Sequence, residues 1–385
     1  MGTLFSHTDN ISINVILSAL PTPVTSFSTI LFVDSLANST LVGFPAGDKT
    51  SVGVNSSELI RLGSLSDMLA ANTATAGSIS DQAMDDVMGA LSHARSPDNV
   101  QFLAVDLAGG DTYDTVFASL NDAFTDYYAV IPLDRTVANI ALISEGVLAG
   151  GGRKRIVVAQ MHGTDAYANE ATWDANDIGQ LSETEKDRLY MCFHDDAQPC
   201  AASVASWALS WDPNQYSPPW TFPVPSISKL ALPSGVTTTT FKANLDTNYI
   251  NHPLPLAGTD VFIDPGLSQN SRPMYVIVTA DWFEARLSEA LQTLKVKYAS
   301  MGIKLPMNTF GQNLILSKVQ AIYSMGVQAG HFLSRDDADA VDKPVVIKAE
   351  TISPDDQTNQ ELRFTVKVPI LLDARILTLN VTVQQ

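Results

Sequence analysis

Four side chains able to bind metal or carry thiol chemistry fall close together: Cys192, His194, Asp195 and Cys200. Zinc sites are built from closely spaced ligand pairs, usually two of them. Cys192 and His194, two apart on a strand, would point the same way. The arrangement therefore reads as a core cysteine beside an exposed His. Two glycine-bearing stretches raise the question of phosphate binding. "LAGGDTYDT", 107–115, follows an apolar run and opens a helix, but it lacks the three-glycine spacing, and Asp111 and Asp114 would repel a phosphate. It reads as a tight turn into a helix. "LAGGGRKR", 148–155, leads into a strand rather than a helix, which makes it a helix stop with a solvated basic tip, Arg153 to Arg155. His7, His93, His162, His252 and His331 sit in unrelated contexts, and no serine occupies a Gly-x-Ser-x-Gly turn. No catalytic set, cofactor site or metal site is expected, and the chain reads as a non-enzyme.

The elements that would have to position such residues are legible in places. Phe102 to Leu107 is a short apolar run, Val116, Leu120 and Phe124 follow at helical spacing, and Tyr128 to Leu133 is a second run, which together predict a parallel strand-helix-strand unit. Val137 to Leu148 reads as a helix and Arg155 to Gln160 as a third strand. Ser26 to Val33 adds a strand and Asp81 to Ala94 a helix, while Ser39 to Ala76 looks like loops. The sum is an α/β (α+β mixed) chain with a doubly wound-like core sheet. From Thr164 to Gly266 the periods fade, although Leu189 to His194 fits another strand and Ala201 to Trp211 a helix. "SPPWTFPVPSISKLALPSGV" must run as extended or turning chain. Met274 to Thr279 is rich in β-formers and predicts a strand. Phe283, Leu287, Leu291, Leu294 and Tyr298 then fall on one helix face, with Asp281 and Glu284 resembling an N-terminal capping pair. Ile315, Val319, Ile322 and Met325 define a second helix, and Val345 to Ala349 and Leu362 to Val368 two strands.

Both ends repeat one pattern. Ile11, Ile13 and Val15 alternate with polar residues near the start, as Leu377, Leu379, Val381 and Val383 do near the end. A terminal strand with an apolar face and an open edge invites another chain to pair with it. The expected organisation is a β-arm over 1–20, an α/β core over 21–163, an irregular inserted or outer region over 164–272, a late domain over 273–365 and a second β-arm over 366–385.

Composition narrows the partners. The 41 acidic residues outnumber 23 basic ones for a net charge of −18, which argues against a nucleic-acid surface. No apolar run approaches the roughly 20 residues of a membrane span. Met1 to Ser6 lacks the features of a secretion signal, so a cytoplasmic site of synthesis is expected. The positive exception to the acidic balance is Lys295, Lys297, Lys304 and Lys318, read either as solvated helix faces or as a basic patch aimed at an acidic partner.

In order along the chain, "NISINVILS", an α/β core, "CAASVASWALSWDP" leading to "PPWTFPVPSISKL", "FKANLDTNYI", "DWFEARLSEALQTL" and "GQNLILSKVQAIYSMGVQAGHF" resemble the sheath proteins of contractile phage tails and related contractile injection systems. The resemblance covers most of the chain from about Val100 onward. It implies a virion structural protein: a homo-oligomer of hexameric rings stacked helically around a tail tube protein, bounded by baseplate and tail terminator proteins. Such a sleeve is assembled in the bacterial host cytoplasm and contracts to drive the tube through an envelope, as in genome ejection by a bacteriophage. It also implies that the late domain faces the tube, where the four lysines would lie, and that the two arms add strands to neighbouring subunits. The competing expectations are another virion component, such as a capsid or baseplate protein, or a nucleotide-binding α/β enzyme.

Overall fold

The structure is a computed structural model that describes residues 10–12, 27–35, 49–52, 55–62, 97, 99–122, 126–149, 154–161, 170–194, 198–220, 239–256, 260–340, 343–353 and 362–371. The first strands are β1 (Asn10–Ser12), β2 (Thr29–Ser35), β3 (Lys49–Ser51), β4 (Glu58–Leu62) and β5 (Asn99–Val105). Next come α1 (Tyr113–Asp122), β6 (Ala129–Pro132), α2 (Val137–Ala149), β7 (Ile156–Met161), α3 (Glu170–Asp174), α4 (Glu183–Arg188) and β8 (Leu189–Phe193). They are followed by α5 (Cys200–Leu209), α6 (Thr239–Thr247), β9 (His252–Leu256) and β10 (Asp260–Asp264). The remaining described elements are α7 (Met274–Ser300), α8 (Thr309–Gln328), α9 (Arg335–Ala340), β11 (Val346–Ala349) and β12 (Phe364–Pro369). The chain divides into two compact units. One joins Leu17–Pro213 to Trp220–Ser288, the other Met1–Ile16, Asn214–Pro219 and Glu289–Gln385. The division differs from the expected one: most described elements of 164–272 belong to the same unit as the core, and the later boundary falls inside α7.

The larger unit is built on a seven-stranded sheet in the order β3-β4-β5-β2-β6-β7-β8. β5, β2, β6, β7 and β8 are parallel, while β4 runs antiparallel to β5 and β3 to β4. Every residue of β6, β7 and β8 is buried, which is why these strands read as unbroken apolar runs rather than alternating ones. Val116, Phe117 and Leu120 of α1 and Ile140, Ile143 and Val147 of α2 join the core that covers them. The expected loops of Ser39 to Ala76 contain β3 and β4, too short to register as a pattern. The expected helix Asp81 to Ala94 lies outside the described residues.

The last parallel strand has its outer edge closed. Asn251 lies beside β8, its backbone N–H donating to Met191 O at 2.9 Å and its O accepting from Phe193 N at 2.8 Å. Its buried side chain donates to Met191 O (2.9 Å) and Leu267 O (2.8 Å) and accepts from Leu267 N (2.9 Å). One amide thus satisfies three backbone groups that water cannot reach.

Two expectations fail at the start of α7. Met274 to Thr279 is helical, not extended. Met274, Tyr275, Ile277, Thr279, Trp282 and Phe283 are all buried. A helix enclosed on most sides loses the 3.6-residue period, and a short β-branched run then mimics a strand. Asp281 is accordingly inside the helix rather than at its cap. Its buried carboxylate takes a two-pronged ion pair from Arg188 (Nη2 to Oδ1 2.7 Å, Nη1 to Oδ2 2.8 Å) and the Tyr128 hydroxyl at 2.9 Å. The burial and the adjacent Asp281 push the Tyr128 hydroxyl well above its ordinary pKa, and the Asp281 carboxylate raises that of Arg188 against the effect of burial. Arg188 Nη1 also donates to Arg155 O at 2.9 Å. Arg155 is not part of a solvated tip: it is buried, lies 3.5 Å over the Tyr127 ring, and donates from Nε to Tyr127 O at 3.1 Å.

Candidate assembly interface

The residues first considered for chemistry are used structurally. His194 is buried, not exposed, and its backbone N–H donates to Met161 O at 3.3 Å. Cys192 lies on β8 and Cys200 opens α5; both are buried free thiols, and burial together with a hydrogen bond to Cys200 pushes the Cys192 thiol well up, away from reactive thiolate. Among the described residues no group of three or more His, Cys, Asp or Glu side chains could hold a metal ion. At 107–115 the Gly109 N–H donates to Asp106 Oδ1 at 2.8 Å, and Thr112 and Thr115 cap the first turn of α1 reciprocally. Asp111 is buried and accepts from Ser57 Oγ (2.6 Å) and from Asn55 N (3.1 Å), so the carboxylate ties the approach to β4 to this turn. The tight-turn reading holds.

The smaller unit presents a different kind of surface. Its sheet has the order β1-β12-β11, antiparallel throughout. β12 lies between its partners, with Asn10 opposite Pro369, Ile11 opposite Val368 and Ser12 opposite Lys367 on one side, and Val346 opposite Lys367 through Ala349 opposite Phe364 on the other. Val366, Val368 and Ile370 are buried and Lys367 is exposed, the alternation of a sheet covered on one face. α8 supplies that cover through Ile315, Val319 and Tyr323, whose hydroxyl donates to Leu333 O at 2.7 Å, and Gln312 Nε2 donates to Glu350 O at 2.8 Å just past β11. The margins of this sheet are three- and four-residue strands, β1 and β11. Of the expected arm residues, Ile11 is in β1, paired with β12 of its own chain. Ile13, Val15, Leu377, Leu379, Val381 and Val383 lie outside the described residues.

The four lysines are all exposed and sit on one helical hairpin: Lys295 and Lys297 at the end of α7, Lys304 in the turn and Lys318 on α8. The turn is rigidly made. α7 ends on Gly302 at φ 72°, with Ile303 N donating back to Tyr298 O at 3.1 Å and Gly302 N to Ala299 O at 2.9 Å. Asn308 caps α8 by accepting from Gly311 N at 3.1 Å. Sequence reasoning found the lysines but missed the apolar side chains between them, Val296, Met301, Ile303 and Phe310, which are exposed. The available signal was charge: no Asp or Glu occurs between Glu289 and Asp336 in a chain with 41 of them.

No family model matches the sequence, and comparison with curated proteins finds no match. Comparison with solved structures does. A chain of the anti-feeding prophage baseplate, solved with six-fold symmetry, matches with a TM-score of 0.64 at 12% identity, over 97% of this chain and 98% of that one. A chain of the contracted PVC sheath complex of an extracellular contractile injection system matches at 0.63 and 15% identity, over 99% and 98%. The sheath tail protein Lin1278 of Listeria innocua matches at 0.54 and 9% identity, over 91% and 93%. The fold of this chain is therefore that of contractile sheath proteins, mixed α/β with a central sheet of parallel and antiparallel strands.

Proposed function

We propose that this chain is a sheath subunit of a contractile tail or injection device. Copies assemble as six-fold rings stacked helically around a tail tube, between baseplate and tail terminator, and the sleeve shortens to drive the tube through a cell envelope. The observation that carries this reading is the likeness in fold, over 97% and 99% of the chain, to chains of an assembled baseplate and of a contracted sheath. Growth of the parallel sheet on both sides of β2 supports a doubly wound core acting as a rigid body. The function needs no active site or cofactor: a metastable packing of subunits releases its energy when the interfaces repack. Assembly takes place in the bacterial cytoplasm and the product is part of the virion or particle.

The two chain ends act as strand-adding arms, through Ile11, Ile13 and Val15 at one end and Leu377, Leu379, Val381 and Val383 at the other. The register of β1 against β12 supports this reading, because β12 accepts the N-terminal segment as an added antiparallel strand. Filled by a neighbour's segment, the same register remakes between two chains each bond now made within one, and such head-to-tail exchange propagates as a filament. The segment from Ser12 to Phe27 reaches about 50 Å when extended, enough to cross to an adjacent copy. Lys295, Lys297, Lys304 and Lys318 face the tube. Electron microscopy of the purified protein tests the reading: striated tubes or stacked rings are expected, whereas closed shells, flat sheets or a monomer with specific nucleotide binding would overturn it.

A further inference from the structure

We propose that the α7–α8 turn grips the tube through an apolar knob, Val296, Met301, Ile303 and Phe310, and that the lysines around it steer the approach rather than supply the hold. The inference rests on the sheath reading and deepens its tube contact. These four side chains are 65%, 53%, 52% and 59% exposed, and they account for half of the eight large apolar side chains exposed among the described residues. Scattered exposed apolar residues are ordinary, but here four fall within fifteen residues, Val296 near the end of α7, Met301 and Ile303 in the turn and Phe310 at the start of α8, which marks a contact surface. The turn bearing them is preformed. Gly302 takes the left-handed conformation, and at Gly311 an added Cβ would meet Pro306 O at 1.8 Å, so the backbone passes too close for any side chain. A knob on a rigid turn loses little freedom on docking.

Charge says what kind of surface it fits. With no carboxylate between Glu289 and Asp336, and with Lys297 and Lys304 exposed beside the apolar residues, the tip is a positive site on an acidic chain. Its complement is an acidic protein surface with an apolar depression. A lipid surface would also accept basic and apolar groups, but insertion is the habit of a continuous amphipathic helix face, and these residues are divided between two helix ends and the turn that joins them.

The test uses a cysteine at the knob, Ile303→Cys, carrying an environment-sensitive dye; Cys192 and Cys200 are buried and leave the native thiols unlabelled. Emission is read from free subunits, from sleeves polymerised without tube, from sleeves assembled on tubes of the same particle, and from subunits with phosphatidylglycerol vesicles. A blue shift confined to sleeves on tubes is expected. An equal shift in tube-free sleeves would give the knob to a second copy, a shift on vesicles would give it to lipid, and no shift with tube would leave it exposed; each overturns the proposal. As a label-free check, Met301→Ser with Phe310→Ser is expected to lower tube co-sedimentation about tenfold, the scale of a lost hot spot, while tube-free polymers form normally. Wild-type binding is expected to survive 1 M salt, where screening acts beyond about 3 Å; binding abolished there would mean that the lysines alone hold the tube. Failure of the wild-type protein to form sleeves at all would instead sink the sheath reading.

Discussion

The seven-stranded sheet and the three-stranded sheet finish their edges in opposite ways. On the larger one, β8 is closed by the chain itself, with Asn251 hydrogen-bonded along it and its amide tying in Leu267. On the smaller one, β12 is flanked by two short strands, and one of them, β1, is held in place by pairing of three residues. An edge sealed by buried side-chain hydrogen bonds is costly to open, whereas a ladder of three residue pairs has few bonds to lose. The comparison teaches that two edges in one chain differ in how many buried groups depend on the segment that closes them.

The contrast can be broken experimentally. The largest effect on the isolated subunit is expected from Arg188→Ala, which strands the buried Asp281 carboxylate: a loss of about 3–5 kcal/mol in denaturant unfolding. Asn251→Ala removes the side-chain partner of the Leu267 N–H and O, while Met191 O keeps the backbone N–H of residue 251, and is expected to cost about 1–3 kcal/mol by the same measurement. A smaller effect depends on pH. His252 is buried, and desolvation lowers its pKa despite the Ile250 carbonyl, Asp246 and Asp264, with Lys242 acting in the same direction as burial. The unfolded chain therefore takes up the proton first. The stability from neutral His252 is complete above the unfolded value, about 6.5, and is lost as pH falls below it toward the folded value. Urea midpoints compared at neutral pH and about a unit below that value should fall for the wild type and change less for His252→Gln. The smallest effect on the fold belongs to the arm: deleting 375–385 is expected to leave the unfolding midpoint unchanged and to abolish polymerisation, seen by electron microscopy. Tubes of normal length from that variant would remove the role given to Leu377, Leu379, Val381 and Val383.

Where one physical signal dominates, the sequence reads directly. β5, α1, β6, α2 and β7 follow one another as apolar run, helical period and run, and the structure has them within a few residues of the expected places. β9 was hidden because Pro253 and Pro255 argue against a strand, yet they stand opposite Ile263 and Val261 on a hairpin, where alternate N–H groups are not needed by the partner. Arg155 and His194 were misplaced because their type favours solvent, and only tertiary partners, the Tyr127 ring and carbonyl for the arginine, explain their burial. The lysines of the α7–α8 hairpin were visible as charge. Its apolar knob was not, since Met301 and Ile303 look like any core residue until a structure leaves them uncovered.

The spacing of two glycines on the α7–α8 turn has a use beyond this chain. Gly302 needs the left-handed backbone and Gly311 has a carbonyl where a methyl group would go. Relatives in fold at 9–15% identity leave almost nothing to align. Any chain that keeps this turn must nonetheless keep both positions free of side chains, so a pair of glycines nine apart, between two long helices, is a ruler for finding the same turn in sequences that share little else.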